Sequence, residues 1–204
     1  MIESLLSLPT IDLRIQDNAG FTALMIAIQF SSNPDGTIIV QKLIAYVQAR
    51  PEYNTTAAKW HPIFNAQDND GLTPLHWAVR RELHDCISTL LDTRRVDVDL
   101  KASNGNTAAM LAIPITVQHH VLELLFDRRA CDPTVRNERG EALVGVARRL
   151  VRESSIDYWG GHLQVARDKL ARDKLHLCED YASHYDADLQ VQAIGPPVAA
   201  GPRL

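Results

Sequence analysis

The densest group of side chains capable of chemistry in this chain is His84-Asp85-Cys86, which offers a base, an acid and a nucleophile in successive positions. A hydrolase would need these groups to converge on one substrate atom. The surrounding pattern predicts a helix over residues 84–92, and successive helical residues point about 100° apart. We therefore expect no catalytic residue here, although a hydrolase that uses His84 or Cys86 is kept as an alternative.

Three cysteines, Cys86, Cys131 and Cys178, are odd in number and far apart in the sequence. This argues against a disulfide framework and favours a reducing compartment, so we expect the cytoplasm, with the nucleus as an alternative. Cys86 and Cys131 are expected to be small buried side chains. His119, His120 and Cys178 lack the close ligand spacings of a zinc site, so neither a metal site nor a cofactor is predicted.

The sequence lacks the motifs and composition that are typical of several other classes of function. A glycine-rich phosphate loop, a nucleophile elbow and a paired Cys-x-x-Cys motif are all missing, which predicts that the chain is not an enzyme and has no small-molecule substrate. The net charge of −4 gives no basic footprint for nucleic acid. No apolar run approaches the roughly 20 residues needed for membrane insertion. The apolar segment from Met1 to Pro9 has no Lys or Arg, so no signal peptide is expected.

A glycine followed seven residues later by alanine occurs in four similar blocks. The blocks begin at Gly20, Gly71, Gly105 and Gly140, so their spacings are 51, 34 and 35 residues. In the block at Gly71, Asp70-Gly71 is a turn dipeptide and Thr73 is a good helix N-cap. Pro74 fits the first position of the helix that follows. The blocks therefore predict a chain of similar units that each begin a helix after a tight turn.

The best-preserved block, Asp70-Gly71-Leu72-Thr73-Pro74-Leu75-His76-Trp77-Ala78, resembles the Thr-Pro-Leu-His signature of ankyrin repeats, whose period is about 33 residues. The resemblance implies an all-α fold, an ankyrin-repeat solenoid of stacked helix-turn-helix units with β-turn tips and a C-terminal helical cap. It also implies that His76 bonds to the turn and to the Thr side chain, which is a structural role.

The repeat pattern divides the chain into three parts. Residues 1–153 are the expected ankyrin-repeat domain, with a partial repeat at 1–16 and repeats near 17–67, 68–101, 102–136 and 137–153. Residues 154–187 are expected to form the helical cap, and residues 188–204 a disordered tail. The long first spacing requires an insertion, which we place at residues 50–62.

Apolar spacing predicts helices near residues 22–30, 37–49, 73–81, 84–92, 107–113 and 119–128. Pro114 is expected to interrupt the fifth of these helices. A long polar helix is predicted over residues 162–185, and one apolar edge of it would cover the open end of the stack. The apolar stripe of that helix is expected at Leu163, Leu170 and Leu177.

In the ankyrin family the concave face, built from turn tips and first helices, usually contacts partners, so the resemblance implies a protein partner. The candidate binding residues, carried over by position, are Phe21, Asn69, Asp70, Leu72, Trp77, Arg80, Arg81, Asn104 and Asn106. Phe21, Phe30, Leu72 and Trp77 are apolar at or near positions that need not be buried. Aromatic and Arg side chains are common interface hot spots, so Phe21, Trp77, Arg80 and Arg81 form the expected hot spot. Two alternatives stay open, that Trp77 packs between first helices and that the arginines are merely solvated.

Two functions remain open at this point. The first is a non-enzymatic protein-interaction module, for example an adaptor. The second is the regulatory or targeting portion of a larger enzyme whose catalytic domain is absent from this chain. The second hypothesis arises because residues 1–16 resemble the back half of a repeat whose front half is missing.

Overall fold

The computed structural model describes residues 11–31, 34–50, 62–115, 120–127, 131–154 and 171–185. One row of helices consists of α1 (Ala23–Gln29), α3 (Pro74–Arg80), α5 (Ala108–Ile115) and α7 (Leu143–Ser154). A second row consists of α2 (Pro34–Ala49), α4 (His84–Asp92) and α6 (His120–Asp127). Residues 171–185 form a further helix, α8. The expected tail, most of the insertion and most of the partial first repeat lie outside the described residues.

The helices stack row on row along the chain. In the first row α1 packs on α3, α3 on α5 and α5 on α7, and in the second row α2 packs on α4 and α4 on α6. The apolar core lies between the rows, where side chains such as Met25, Ile87 and Leu122 are fully buried. The predicted all-α solenoid of stacked helix-turn-helix units is confirmed.

The alanine seven residues after each tip glycine lies in this core. Ala78, Ala112 and Ala147 are completely buried, and Ala27 in the first described unit is half-buried. Protein interiors are close-packed, so a larger side chain at these positions would push the helices apart. The recurring alanine therefore permits the close approach of the helices.

The helices begin where capping signals place them. The Oγ1 atom of Thr73 accepts a hydrogen bond from the amide of His76, and the His76 ring accepts one from the amide of Thr73. Thr22 caps α1 in the same way through the amide of Met25. The helix α2 begins at Pro34, three residues before the predicted start at Thr37, because proline suits the first helical position.

The expectation that Pro114 interrupts its helix is wrong, since α5 runs through Pro114 to Ile115. Proline removes one backbone donor, but here it stands one residue from the end of the helix, so only the last turn loses a hydrogen bond. The Nζ atom of the buried Lys174 donates to the carbonyl of Ile113 at 2.8 Å. That contact satisfies one of the carbonyl groups that a helix end leaves without a partner.

The tips are tight turns that are hydrogen-bonded to one another. Each of the four tip glycines has a φ between 72° and 82°, a left-handed conformation that glycine adopts without strain. Backbone bonds join successive tips, from the amides of Asn69, Ser103 and Glu138 to the carbonyls of Ala19, Asp70 and Asn104. The described tips therefore form a continuous ladder along one edge of the stack.

A second ladder of side-chain bonds joins the segments that precede the tips. Asn65 accepts a hydrogen bond from the amide of Asp97 at 2.6 Å and donates one to the carbonyl of Arg95 at 2.8 Å. Asp99, which stands 34 residues after Asn65, accepts from the amide of Asp132 at 2.8 Å. Burial raises the pKa of the Asp99 carboxyl to about 6. The nearby Asp132 and Asp97 carboxylates also raise this pKa, whereas the hydrogen bond from the Asp132 amide lowers it.

The helix α8 covers the end of the second row. Its Tyr181 ring stacks on Phe126 of α6 with centroids 4.2 Å apart, and its hydroxyl donates to the carbonyl of Cys131 at 2.7 Å. On the other side Glu179 pairs with Arg148 of α7 at 2.8 Å. These contacts attach α8 to both α6 and α7, which supports its interpretation as a cap.

Of the predicted apolar stripe of this cap, Leu177 lies among the described residues, where it packs against the core. Ala171, Lys174 and Cys178 are the buried positions of α8, whereas Leu177 is only half-buried. Leu163 and Leu170 lie outside the described residues. The buried positions follow a spacing of three and four residues, which keeps one helical face toward α5 and α6. A stripe of leucines seven residues apart does not reveal that the buried face carries a lysine.

We expect Gly71→Ala to destabilise the chain more than Gly140→Ala. Both glycines have positive φ, but a Cβ atom at Gly71 would lie 2.7 Å from the Ser103 amide nitrogen, whereas one at Gly140 meets nothing within 4 Å. The strain common to both should cost about 1 kcal/mol, with the clash adding on the order of 1 to 3 kcal/mol at Gly71 alone. Urea unfolding measures both losses, and equal losses would contradict the tip-to-tip contact.

Asp99→Asn should stabilise the folded state at pH 7 and not at pH 4. Because folding raises the pKa of the Asp99 carboxyl to about 6, the folded state becomes less stable as pH rises from about 4 to 6 and the carboxyl loses its proton. The side-chain amide of asparagine does not ionise, so the variant avoids that loss of stability. The gain should be on the order of 1 kcal/mol, because partial exposure screens the charge. The control is Asn65→Asp, the opposite change at the equivalent position 34 residues earlier. It should destabilise the folded state at pH 7. A gain in urea unfolding that does not depend on pH would contradict this account.

Candidate protein-binding surface

The concave face comprises the tips at residues 17–21, 68–72, 102–106 and 137–141 with the adjoining sides of the first-row helices. Between the second and third tips this face holds an open groove of about 420 Å³. Four of the predicted residues line it together, and so do three that were not predicted. The groove residues are Asp70, Leu72, Arg80, Ala102, Ser103, Asn104 and Leu111.

The buried carboxylate of Asp68 fixes the second tip. Its Oδ1 atom accepts hydrogen bonds from the amides of Asp70 at 3.0 Å and Leu72 at 2.8 Å. Its Oδ2 atom accepts one from the Trp77 indole nitrogen, also at 2.8 Å. The same carboxylate therefore shapes the turn and orients the indole ring.

Of the four apolar side chains expected at positions that need not be buried, Phe30 is 73% exposed, whereas for Leu72 and Trp77 the expectation is wrong. Leu72 is 8% exposed and Trp77 is 9% exposed. The Trp77 ring packs on Phe21 of the preceding unit with centroids 5.2 Å apart, so it fills the space between neighbouring first helices. Phe21 is itself half-buried. Leu72 still contributes to the floor of the groove, but Trp77 supports the surface from beneath.

Arg80 is exposed, and its guanidinium lies 5.1 Å from the centre of the Trp77 ring. Such a cation–π contact contributes about 0.5–1 kcal/mol at an exposed site. Within the part of the chain that the structure describes, Arg80 makes no ion pair. Arg81 is exposed beside it, and its amide closes the end of α3 on the carbonyl of Trp77. Two positive side chains therefore project from the end of α3.

The three candidate asparagines differ in their surroundings. Asn69 is exposed and donates to the carbonyl of Asn18 at 3.0 Å. Asn104 is exposed at the groove, and its Oδ1 atom accepts from the amide of Asn106 at 3.0 Å. Asn106 is half-buried, and its Oδ1 atom accepts from Asn137 of the next tip at 2.9 Å. Asn104 is thus presented to solvent at the groove, while Asn106 links two repeats.

The buried ring of His76 joins two repeats. Its Nδ1 atom lies 2.8 Å from Thr73 Oγ1, which confirms the local bonding that the resemblance implied. Its Nε2 atom lies 3.2 Å from the carbonyl of Asn106, so the neutral ring donates there. Burial lowers the pKa of His76 below its usual value and thereby favours the neutral form. These contacts account for all the bonding positions of the ring.

The thiols also lie inside the stack. Cys86, Cys131 and Cys178 are buried and unpaired with one another, as predicted for the first two. Burial raises the pKa of Cys131 and Cys178 to about 12 and raises that of Cys86 as well. Across the described segments, no three His, Cys, Asp or Glu side chains form a group that could hold a metal. None of the helices in those segments is long and apolar enough to span a bilayer.

Sequence reasoning missed Asp68 and Leu111, although both carry a positional signal. Asp17, Asp68 and Asn137 each precede a tip glycine by three residues, and each accepts two backbone hydrogen bonds within its own tip. Leu111 stands 34 residues after Trp77, which is the spacing between the two tip glycines. Aligning these positions would have identified one as a turn anchor and the other as part of the same helix row.

Comparison with known proteins shows which family model and which proteins these repeats resemble. The family model described as Ankyrin repeats (3 copies) matches residues 39–137. Neurogenic locus notch homolog protein 1 of Danio rerio is 33% identical over 78 residues, which is 38% of this chain and 3% of that protein. Neurogenic locus notch homolog protein 2 of Homo sapiens is 38% identical over 61 residues, which is 30% of this chain and 2% of that protein.

The matched stretch spans only a few per cent of the length of these curated relatives. The stretch matched by the family model contains all the residues that line the groove, from Asp70 to Leu111. Residues 39–137, which include the residues that line the groove, are therefore ankyrin repeats.

Proposed function

We propose that the chain is a non-enzymatic adaptor that binds a partner protein through its concave face, with the groove between the second and third tips as the main contact. Ankyrin repeats generally mediate protein–protein interaction. The observation that carries the proposal is the exposed Arg80, which the Trp77 ring supports at the edge of a groove with an apolar floor.

The composition of the groove is that of an interface. Leu72, Ala102 and Leu111 supply an apolar centre, while Ser103 and Asn104 form part of a polar rim. Protein interfaces combine an apolar centre with a polar edge, and a few Arg or aromatic residues carry most of their binding energy. Of the expected hot spot, Arg80 lines this groove and so stands beside its apolar residues, which supports the proposal.

The non-enzymatic part of the proposal is supported by the surroundings of the reactive groups. The His76 ring is buried and bonded to Thr73 and Asn106. The thiols of Cys86 and Cys131 are buried, and their raised pKa values favour the protonated form, which is a poor nucleophile. These groups support the fold rather than facing the groove.

Replacement of the exposed arginines should weaken partner binding without unfolding the chain. The partner is first captured from lysate by the wild-type chain and identified by mass spectrometry, and its affinity is then measured by titration calorimetry. Arg80→Ala combined with Arg81→Ala should raise Kd about 30-fold, the loss expected when an interface hot spot is truncated.

Arg172→Ala is the control, because Arg172 is exposed on α8 away from the groove. Circular dichroism should show equal helix content for all three proteins. An affinity of the double variant within twofold of the wild type would contradict binding through the concave face.

A further inference from the structure

We infer that the groove takes an extended peptide segment in which an acidic side chain stands next to a branched apolar side chain, with the carboxylate on Arg80. This rests on the proposed function and specifies the chemistry of the partner. The charges, the apolar floor and the polar edge of the groove each contribute to the assignment.

The charge of Arg80 favours a carboxylate. The Arg80 guanidinium lies over the indole of Trp77, with its central carbon 5.1 Å from the ring centre. Arginine binds carboxylates through two parallel N–H···O bonds, and such charge-assisted bonds are among the strongest in proteins. Arg80 has no acidic partner among the described residues. A carboxylate from outside would therefore complete its bonding.

The floor of the groove favours an apolar neighbour of that carboxylate. Leu72 and Ala102 are each 8% exposed, and Leu111 is half-buried, so all three show part of their apolar surface in the groove. A volume of about 420 Å³ is at the lower end of the range for small-ligand sites, about 300–1,000 Å³. That space suits a few side chains of an extended segment.

Asp70 restricts where the carboxylate of the bound segment can lie. It lines the same groove as Arg80, yet the two side chains form no ion pair. Because like charges repel, a peptide carboxylate is disfavoured near Asp70 and favoured at the Arg80 end. The Asn104 amide nitrogen stands on the rim, where it can donate to a peptide carbonyl. The groove therefore holds one side chain that attracts a carboxylate and one that repels it.

A displayed library of random dodecapeptides, selected on the immobilised full chain, tests this inference. The wild-type chain should enrich peptides with Asp or Glu beside Leu, Ile or Val. In the best peptide, replacement of the acid by its amide should raise Kd about tenfold or more. Arg80→Glu should reverse the preference to Lys or Arg, whereas the matched change Arg172→Glu on α8 should leave it unaltered.

Wild-type selection without an acid preference, or an acid preference that survives Arg80→Glu, would overturn the inference. Leu111→Ser separates this failure from that of the proposed function. Suppose that either of these results is obtained and that the Leu111→Ser chain no longer enriches any peptide. The groove then still binds peptides, and only the assigned acidic chemistry is wrong. If no peptide is enriched by the wild type, or if Leu111→Ser leaves selection intact, the groove itself is not the binding site.

Discussion

The proposed binding surface depends on the hydrogen bond between the Trp77 indole and the Asp68 carboxylate. A carboxylate buried without partners would be costly, and Asp68 is stabilised because two tip amides and the indole all donate to it. The bond therefore couples the shape of the second tip to the orientation of the ring. Since Arg80 lies over that ring, the position of the exposed charge follows from a bond made in the interior.

This arrangement needs at least three repeats. Trp77 packs on Phe21 of the repeat before it, and His76 reaches the carbonyl of Asn106 in the repeat after it. The groove lies between the second and third tips, whose backbones are joined through Ser103 and Asp70. A single repeat could neither bury the indole nor form the groove, because each unit of a solenoid completes its core only with its neighbours.

Local sequence signals were enough for the features that depend on a few adjacent residues. Thr73 and Pro74 placed the start of α3, and the tip glycines placed the turns. The sequence left open whether Trp77 is buried, because the ring that packs on it, Phe21, lies before the inserted residues of the first repeat. The face of α8 was missed for a related reason, since the carbonyl that receives Lys174 belongs to α5.

The four first-row helices show how a site arises within a repeated scaffold. The residues six positions after the tip glycines are Ile26, Trp77, Leu111 and Val146, so one aromatic side chain stands among three aliphatic ones. The indole of Trp77 both donates to Asp68 and supports a guanidinium, so these two roles meet in the second repeat. Of the aliphatic residues at this position, Val146 is buried in the stack, Leu111 is half-buried in the groove and Ile26 is exposed. The indole at Trp77 therefore distinguishes the second repeat from the others, and the proposed binding site depends on that difference.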